Sequence, residues 1–435
     1  MKLNLPGLTF STFLLLSISV SAQQRCYSYQ HMKEQIAADP VFAQKMKESE
    51  RNFSDYISQR GGGNIELRSG PLTIPVIVHV LYNSNSQKIP RSQVESQITV
   101  LNEDFTASNS DYNKDAAGYA GVKGDANISF CLEQVRFVKT KKKSFTTNDD
   151  MKRTSRGGDD PIDPTKYLNI WVCSIGQGIL GYAQFPNGPA ATDGVVINYR
   201  SFGKGAQYNL YADYDLGRTA THEVGHWLGL RHIWGDATCG NDFVDDTPLH
   251  DSPNYGCPGA GHRSICTGSP FEMWMNYMDY TDDACMYFFT DDQVSRMDGF
   301  LDTSPRLMSI TQNSGCVGMS DVEVDNTGST GGGGSGGGPP HGGGNPHGKL
   351  LPEDFIVYPT INSGTVNLKI NAVEDGVGVV NVYSQIGALV YKQELNVVEG
   401  DNLKTIKLGL LSNGLYIVEY KQGDMKQSKK LVIQH

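Results

Sequence analysis

The sequence predicts two folded units, an α/β or α+β domain with layered strands and helices, followed by a small all-β sandwich. Three observations predict this. Between Leu72 and Cys316, β-forming apolar runs alternate with two or three amphipathic helices. From Thr327 to Gly348 the composition collapses to Gly, Ser, Pro and His, a run that can bury nothing and reads as a tether. From Phe355 to Val432 short alternating strands are punctuated by Gly364, Gly387, Gly400, Gly414 and Gly423. A chain of 435 residues has room for such a main domain with appendages.

The elements follow in order. Lys2, the apolar stretch Phe10 to Val20 and the small residues Val20-Ser21-Ala22 form a signal peptide, residues 1–22, with cleavage expected after Ala22. A membrane anchor needs roughly 20 apolar residues, and this stretch is shorter and broken by serines. Residues 23–68 are polar and helix-prone, with Lys33, Glu34, Lys45, Lys47, Glu48 and Glu50, and read as a removable pro-segment. The main domain is expected over 69–320. Leu72 to Tyr82 is its first core strand, and Val94, Ile98, Leu101 and Phe105 recur at helical spacing behind Ser92. Further strands are expected at Ile128 to Val138, Tyr167 to Cys173, Leu180 to Phe185 and Gly194 to Tyr199, ahead of a helix starting near Leu216. The linker is expected over 321–350 and the sandwich over 351–435; the linker histidines His341 and His347 read as solvated.

A net charge of −10 spread along the chain leaves no electrostatic footprint for nucleic acid. Eight cysteines fit an oxidising compartment. Four of them, Cys239, Cys257, Cys266 and Cys285, crowd into one stretch and are expected to form two local disulfides, whereas the spacing of Cys26, Cys131, Cys173 and Cys316 leaves their pairing open.

The chemistry is concentrated in His222-Glu223-Val224-Gly225-His226-Trp227-Leu228-Gly229-Leu230-Arg231-His232. On a helix, His222 and His226 lie one turn apart on one face and can aim two imidazoles at one ion. Glu223 is placed to take a proton from a water on that ion. Gly229 lets the chain turn back so that His232 becomes a third ligand. Three neutral imidazoles leave a fourth position for water, the arrangement of a catalytic zinc site.

The pattern H-E-x-x-H-x-x-G-x-x-H resembles the metzincin metallopeptidases, and Asn276-Tyr277-Met278-Asp279-Tyr280 is similar to their methionine-containing turn. Within that group the chain resembles the cytophagalysin and ulilysin-like branch of the pappalysin family. Leu180-Gly181-Tyr182-Ala183, Asp193-Gly194-Val195-Val196 and Asp245-Asp246-Thr247-Pro248 carry that resemblance over about Leu72 to Cys316. It implies a metzincin catalytic domain with a twisted mixed sheet and an active-site helix. Met278 would floor the metal site, Tyr280 would stabilise the oxyanion, and the strand from Leu180 would receive an extended substrate, which favours endopeptidase action.

The resemblance also implies disulfides Cys239 to Cys266 and Cys257 to Cys285. It favours calcium at Asp242, Asp245 and Thr247, the other reading of that loop being a solvated acidic turn. Cys26, just past the signal cleavage site, has two readings: a latency switch whose thiolate fills the fourth zinc position, or a disulfide partner for a scattered cysteine. Release would follow autolysis at Arg51, Arg60 or Arg68. Ulilysin-like relatives prefer arginine, and Asp282 or Asp283 could furnish the acidic pocket. Tyr358-Pro359, Val382 to Gly387, Leu411 to Tyr416 and Lys429 to Val432 resemble the sorting domain of the type IX secretion system, with departures at Thr360 and Ser384. This implies passage to the outside of the cell by that machinery, the other reading being a binding sandwich.

The expected function is a monomeric, secreted, zinc-dependent endopeptidase made as a latent zymogen and acting on protein or peptide substrates. The competing class is a zinc-binding adhesin without turnover, for which Glu223 has no use. Hydrolysis of a non-peptide amide would use the same site.

Overall fold

The computed structural model describes residues 25–59, 70–312, 315–327 and most of 355–433. The expected signal peptide, Arg60, Arg68 and the tether residues 328–348 with His341 and His347 lie outside the described residues. The chain divides into two compact units, residues 1–331 and 332–435.

The first unit opens with two helices, α1 (Ser28–Ala38) and α2 (Pro40–Gln59), ahead of a six-stranded sheet. Its strands are β1 (Leu72–Tyr82), β2 (Ile128–Thr140), β3 (Leu168–Cys173), β4 (Gly181–Ala183), β5 (Val195–Asn198) and β6 (Val322–Asn326), in the spatial order β4-β5-β3-β1-β2-β6. All neighbours run parallel except β4, which is antiparallel to β5 at the edge. β1 lies in the middle, and Ile74, Val76, Val78 and Val80 on one side alternate with Ile77, His79 and Leu81 on the other, all buried. That is why its sequence reads as one apolar run rather than an alternation. Pro75 is tolerated because it comes one residue before β3 joins, where β1 has a single neighbour.

Helix α3 (Arg91–Phe105) packs Val94, Ile98, Leu101 and Phe105 on one face of the sheet, beside α4 (Arg218–Trp227). The other face is covered by loops, with Met151, Trp171, Cys173, Tyr182 and Val196 in a second apolar cluster. After α4 the chain has little regular structure until α5 (Asp291–Thr303), which starts with a Thr290–Gln293 capping box, and α6 (Pro305–Thr311).

The expected linker boundary at 321 is corrected. Val322–Asn326 is the outer strand β6, paired with β2, so the first unit runs past 320 into what reads as tether. Its alternating Val322-Glu323-Val324-Asp325 is short and acidic, as edge strands often are. Lys88 and Arg91 hold it through Glu323 and Asp321. The expected strand Leu180 to Phe185 is shortened to Gly181–Ala183.

The second unit is all β. One sheet has β8 (Ile361–Asn362), β14 (Met425–Ile433), β13 (Gly414–Gln422), β10 (Gly376–Ser384) and β11 (Leu389–Val397), in that order. The other has β12 (Gly400–Lys407), β9 (Thr365–Ala372) and β7 (Phe355–Tyr358). Val366, Leu368 and Ile370 from the smaller sheet meet Val380, Val382, Val418 and Tyr420 from the larger in one core.

Candidate active site

The site is built on α4. Its start is fixed by Asp283, whose buried carboxylate accepts from the amides of Leu216 (3.0 Å) and Arg218 (3.1 Å). The buried Arg218 side chain reaches Asp104 (3.2 Å), Asp111 (3.1 Å) and the Tyr277 hydroxyl (3.0 Å), bolting the helix to α3 and to the turn beneath it. The helix stops at Trp227. Gly229 then takes φ 97°, and a Cβ there would stand 2.2 Å from the Phe300 ring, so glycine is required on two grounds. Arg296 Nε donates to the Gly229 carbonyl (2.9 Å), and the reversed chain delivers His232.

The three imidazoles converge. Nε2 of His226 lies 3.1 Å from Nε2 of both His222 and His232. Each Nδ1 is engaged elsewhere: His222 with the Tyr277 carbonyl (2.7 Å), His226 with the Leu230 carbonyl (2.8 Å), His232 with the Asp236 carboxylate (2.5 Å). These acceptors hold the ring protons on Nδ1, so three Nε2 lone pairs face one another across a buried centre. Burial and the neighbouring ring push His222 down to about 3 and His226 well below its usual value, which keeps both rings neutral. Lone pairs at this spacing repel unless a cation lies among them, and about 3.3 Å is the separation of ligands on a tetrahedral zinc. The donor set therefore fits zinc. Cys26 Sγ completes the group, all four ligand atoms lying within 4.8 Å of one another, and it is the one such cluster found among the described residues.

Glu223 is buried beside this centre. Its Oε2 accepts from Ser28 Oγ (2.7 Å) and Cys26 Sγ (3.3 Å), while Oε1 has no hydrogen-bond partner. Burial, opposed only by those two bonds, pushes its carboxyl up to about 8. Gly181 faces it, since a Cβ there would meet Glu223 Cγ at 2.9 Å. Met278 is fully buried below α4, and the helix makes room for it with Gly225, whose Cβ would lie 2.6 Å from the Met278 sulfur. Tyr280 packs edge-on against His232 (5.0 Å between centroids).

The N-terminal residues occupy the cleft. Arg25 to Tyr27 pair parallel to β4, through Leu180 N to Arg25 O (2.9 Å) and Tyr27 N to Gly181 O (3.1 Å). Ser28 Oγ takes the Ala183 amide (2.8 Å), and the Tyr280 hydroxyl donates to the Cys26 carbonyl (3.1 Å). Arg25 lines a small cavity of about 20 Å³ together with Leu180, Tyr214, Tyr280 and Asp283 among others. There it pairs with Asp282 (2.8 Å) and lies 4.4 Å from the Tyr214 ring centroid. Of the two aspartates considered for an acidic pocket, Asp282 meets a basic side chain and Asp283 anchors α4.

Cys239 is bonded to Cys266 and Cys257 to Cys285; Cys131 is bonded to Cys316, while Cys26 and Cys173 are free thiols. In the Asp242 loop, the Thr247 hydroxyl donates to Asp242 (2.9 Å). The Asp242, Asp245 and Asp246 carboxylates form no three-ligand cluster. Sequence reasoning missed Ser28, Asp236 and Gly225. Asp236 had a signal, its i,i+4 spacing from His232; Ser28 had none.

A parallel-dominated sheet over a helix with a buried histidine triad and an adjacent carboxylate defines a metallopeptidase. Residues 152–302 match the family model described as pregnancy-associated plasma protein-A, and residues 356–434 match the secretion system C-terminal sorting domain. The chain is 30% identical over 308 residues to an extracellular metalloprotease of Arthroderma gypseum, covering 66% of this chain and 88% of that protein. It is 43% identical to Tannerella forsythia mature mirolysin in complex with a cleaved peptide, with TM-score 0.54 over 56% of this chain and 97% of that one. It is 38% identical to a Tannerella forsythia promirolysin mutant, with TM-score 0.60 over 66% of this chain and 97% of that one. The chain belongs to the pappalysin family of metallopeptidases and is secreted to the extracellular space or cell surface.

Proposed function

We propose that the protein is a zinc-dependent endopeptidase, made latent by its own N-terminal segment, with His222, His226 and His232 as the metal ligands. The observation that carries this is the set of three tethered Nδ1 atoms with their Nε2 lone pairs turned to one buried point. When bound, zinc acidifies a water molecule and polarises the scissile carbonyl. Glu223 accepts the water proton through its unpartnered Oε1 side and returns it to the leaving amine. The Tyr280 hydroxyl, released from the Cys26 carbonyl, donates to the oxygen of the tetrahedral carbon. Met278 keeps the floor apolar and dry, and the edge of β4 takes an extended peptide through main-chain hydrogen bonds.

Cys26 is the latency switch in this reading. Burial and the neighbouring Glu223 raise its thiol, and zinc held by the three imidazoles would favour the thiolate. Arg51 lies inside α2, and helical backbone fits a protease cleft poorly, which favours Arg60 or Arg68 among the three arginines. Arg25 on Asp282 supports a preference for arginine at the matching substrate position. Calcium at Asp242, Asp245 and Thr247 rests on a narrower ground: burial pushes the Asp242 carboxyl up to about 7, and the Thr247 hydroxyl lies 2.9 Å from it. A drop in melting temperature on calcium-selective chelation is expected, and none would remove the site. The sorting domain supports delivery by the type IX machinery.

The test is casein hydrolysis by the secreted protein with and without a zinc chelator, alongside Glu223→Gln and Cys26→Ala. Activity is expected to vanish with the chelator and in Glu223→Gln, and the Cys26 variant is expected to autoactivate earlier than wild type. Full proteolysis by the glutamine variant would overturn the assignment.

A further inference from the structure

Away from the Cys26 contact, α2 docks on a second surface that the chemistry above does not use. Glu50 accepts from Arg231 Nη2 (2.9 Å) and from Arg296 Nη2 (2.9 and 3.0 Å). Burial opposes its ionisation, but the two guanidiniums prevail and hold the Glu50 carboxyl below the usual range. One turn on, Phe53 lies parallel to Phe300, with ring centroids 5.6 Å apart, and the Arg296 guanidinium lies 4.9 Å from Phe53 and 5.0 Å from Phe300. A turn further, Tyr56 donates to Asp302 (2.8 Å). Glu50, Phe53 and Tyr56 thus form a single acidic and aromatic face.

The opposing helix is shaped for that face. Gly299 sits in the interior of α5, where glycine weakens a helix. A Cβ at 299 would stand 2.6 Å from two Phe53 ring carbons and 3.4 Å from Tyr56, so the three nearest obstructions all belong to α2. The notch therefore serves docking of α2 rather than packing of the main domain. Nearby, Phe42 and Met46 of α2 cluster with Phe185, whose ring is 5.3 Å from His226, so a helix seated here walls off one side of the metal centre. Without it, Arg231 and Arg296 lose the carboxylate that both hydrogen-bond, and two adjacent guanidiniums favour a replacement anion.

We propose that this surface is a docking site for a helix that presents a glutamate beside two aromatic rings, and that residues 40–59 go on occupying it in trans, inhibiting the enzyme, after the chain is cut between 59 and 70. The proposal rests on the reading of residues 23–68 as a removable segment.

The test uses the secreted, processed protein and a fluorescein-labelled peptide of residues 40–59, which contains no cysteine and so cannot act as the thiolate switch. Anisotropy is expected to show binding, and casein hydrolysis to show inhibition. Glu50→Ala or Phe53→Ala in the peptide is expected to weaken both by roughly tenfold or more. Gly299→Ala in the enzyme is expected to keep wild-type casein activity and melt no lower than wild type, yet bind the peptide roughly tenfold or more weakly. Equal binding by the Gly299 or Glu50 variants would overturn the docking site, as would absence of binding by the wild-type peptide to protein whose mass shows 23–59 removed. A mass showing 23–59 still attached would overturn both this proposal and the removable-segment reading, and so separates the two failures.

Discussion

Under the metal centre a helix glycine and a methionine share one space. Only the histidines, the glutamate and the later glycine of the motif carry obvious chemistry, yet Gly225 is as constrained as Gly229, because a methyl there would stand 2.6 Å from the Met278 sulfur. Gly225→Ala is expected to cost about 1–3 kcal/mol of stability through overpacking, read as a lower denaturant midpoint with unchanged slope. Glu223→Gln would remove the proposed general base while preserving shape, so proteolysis should fall by about a hundredfold or more with bound zinc, measured by atomic absorption, unchanged. On the far side of the sheet, Asp159 is buried, which alone would raise its carboxyl, but hydrogen bonds from His79 (2.7 Å) and Arg136 (2.6 Å) outweigh burial and bring it to about 2. Its folded value lies below the unfolded 3.8, so about 2 kcal/mol of stability is present above pH 4 and lost as pH falls through about 2. Thermal melts across that range should show the loss, and Asp159→Asn should flatten it. The clustering of His222, His226, His232 and Glu223 was legible because the motif's local spacing encodes it. Ser28 and Asp159 were not, because their partners lie at Glu223, His79 and Arg136, which only the fold brings near.

At the scale of elements, the strands with long apolar runs were legible almost to the residue, since β1 spans Leu72–Tyr82 as its composition predicts. Helices α5 and α6 were not anticipated. Buried Arg296, Asp298 and Gly299 interrupt the apolar stripe of α5 with residues that suit partners on other elements rather than a helix period. The long stretch between Gly229 and Phe289 has almost no periodicity because disulfides and side-chain bonds, not a ladder, hold it. Closing 27 residues through Cys239 and Cys266 restricts the unfolded chain, and replacing both with serine is expected to cost about 3.5 kcal/mol, seen as a lowered melting temperature. An unchanged melt would mean that the loop is held by its buried Asn254, Asp279 and Glu272 network instead.

The whole molecule is a cleft-bearing unit with its own N-terminal cover and a separate all-β unit that matches a sorting domain. Deleting residues 351–435 is expected to leave the protein inside the cell envelope, which immunoblots of medium and envelope fractions would reveal; undiminished release would argue that the first unit carries its own address. The two-unit plan was legible from the glycine-rich run, but the outer strand β6 was hidden because its five residues border that run.

The bond between Cys131 and Cys316 joins the first half of β2 to the chain just ahead of β6. Tension applied from the C-terminal end would peel β6 away first and then meet a covalent stop at Cys316. α5, α6 and the turn presenting His232 precede Cys316 in the chain, so a pull from that end reaches them only past the covalent stop.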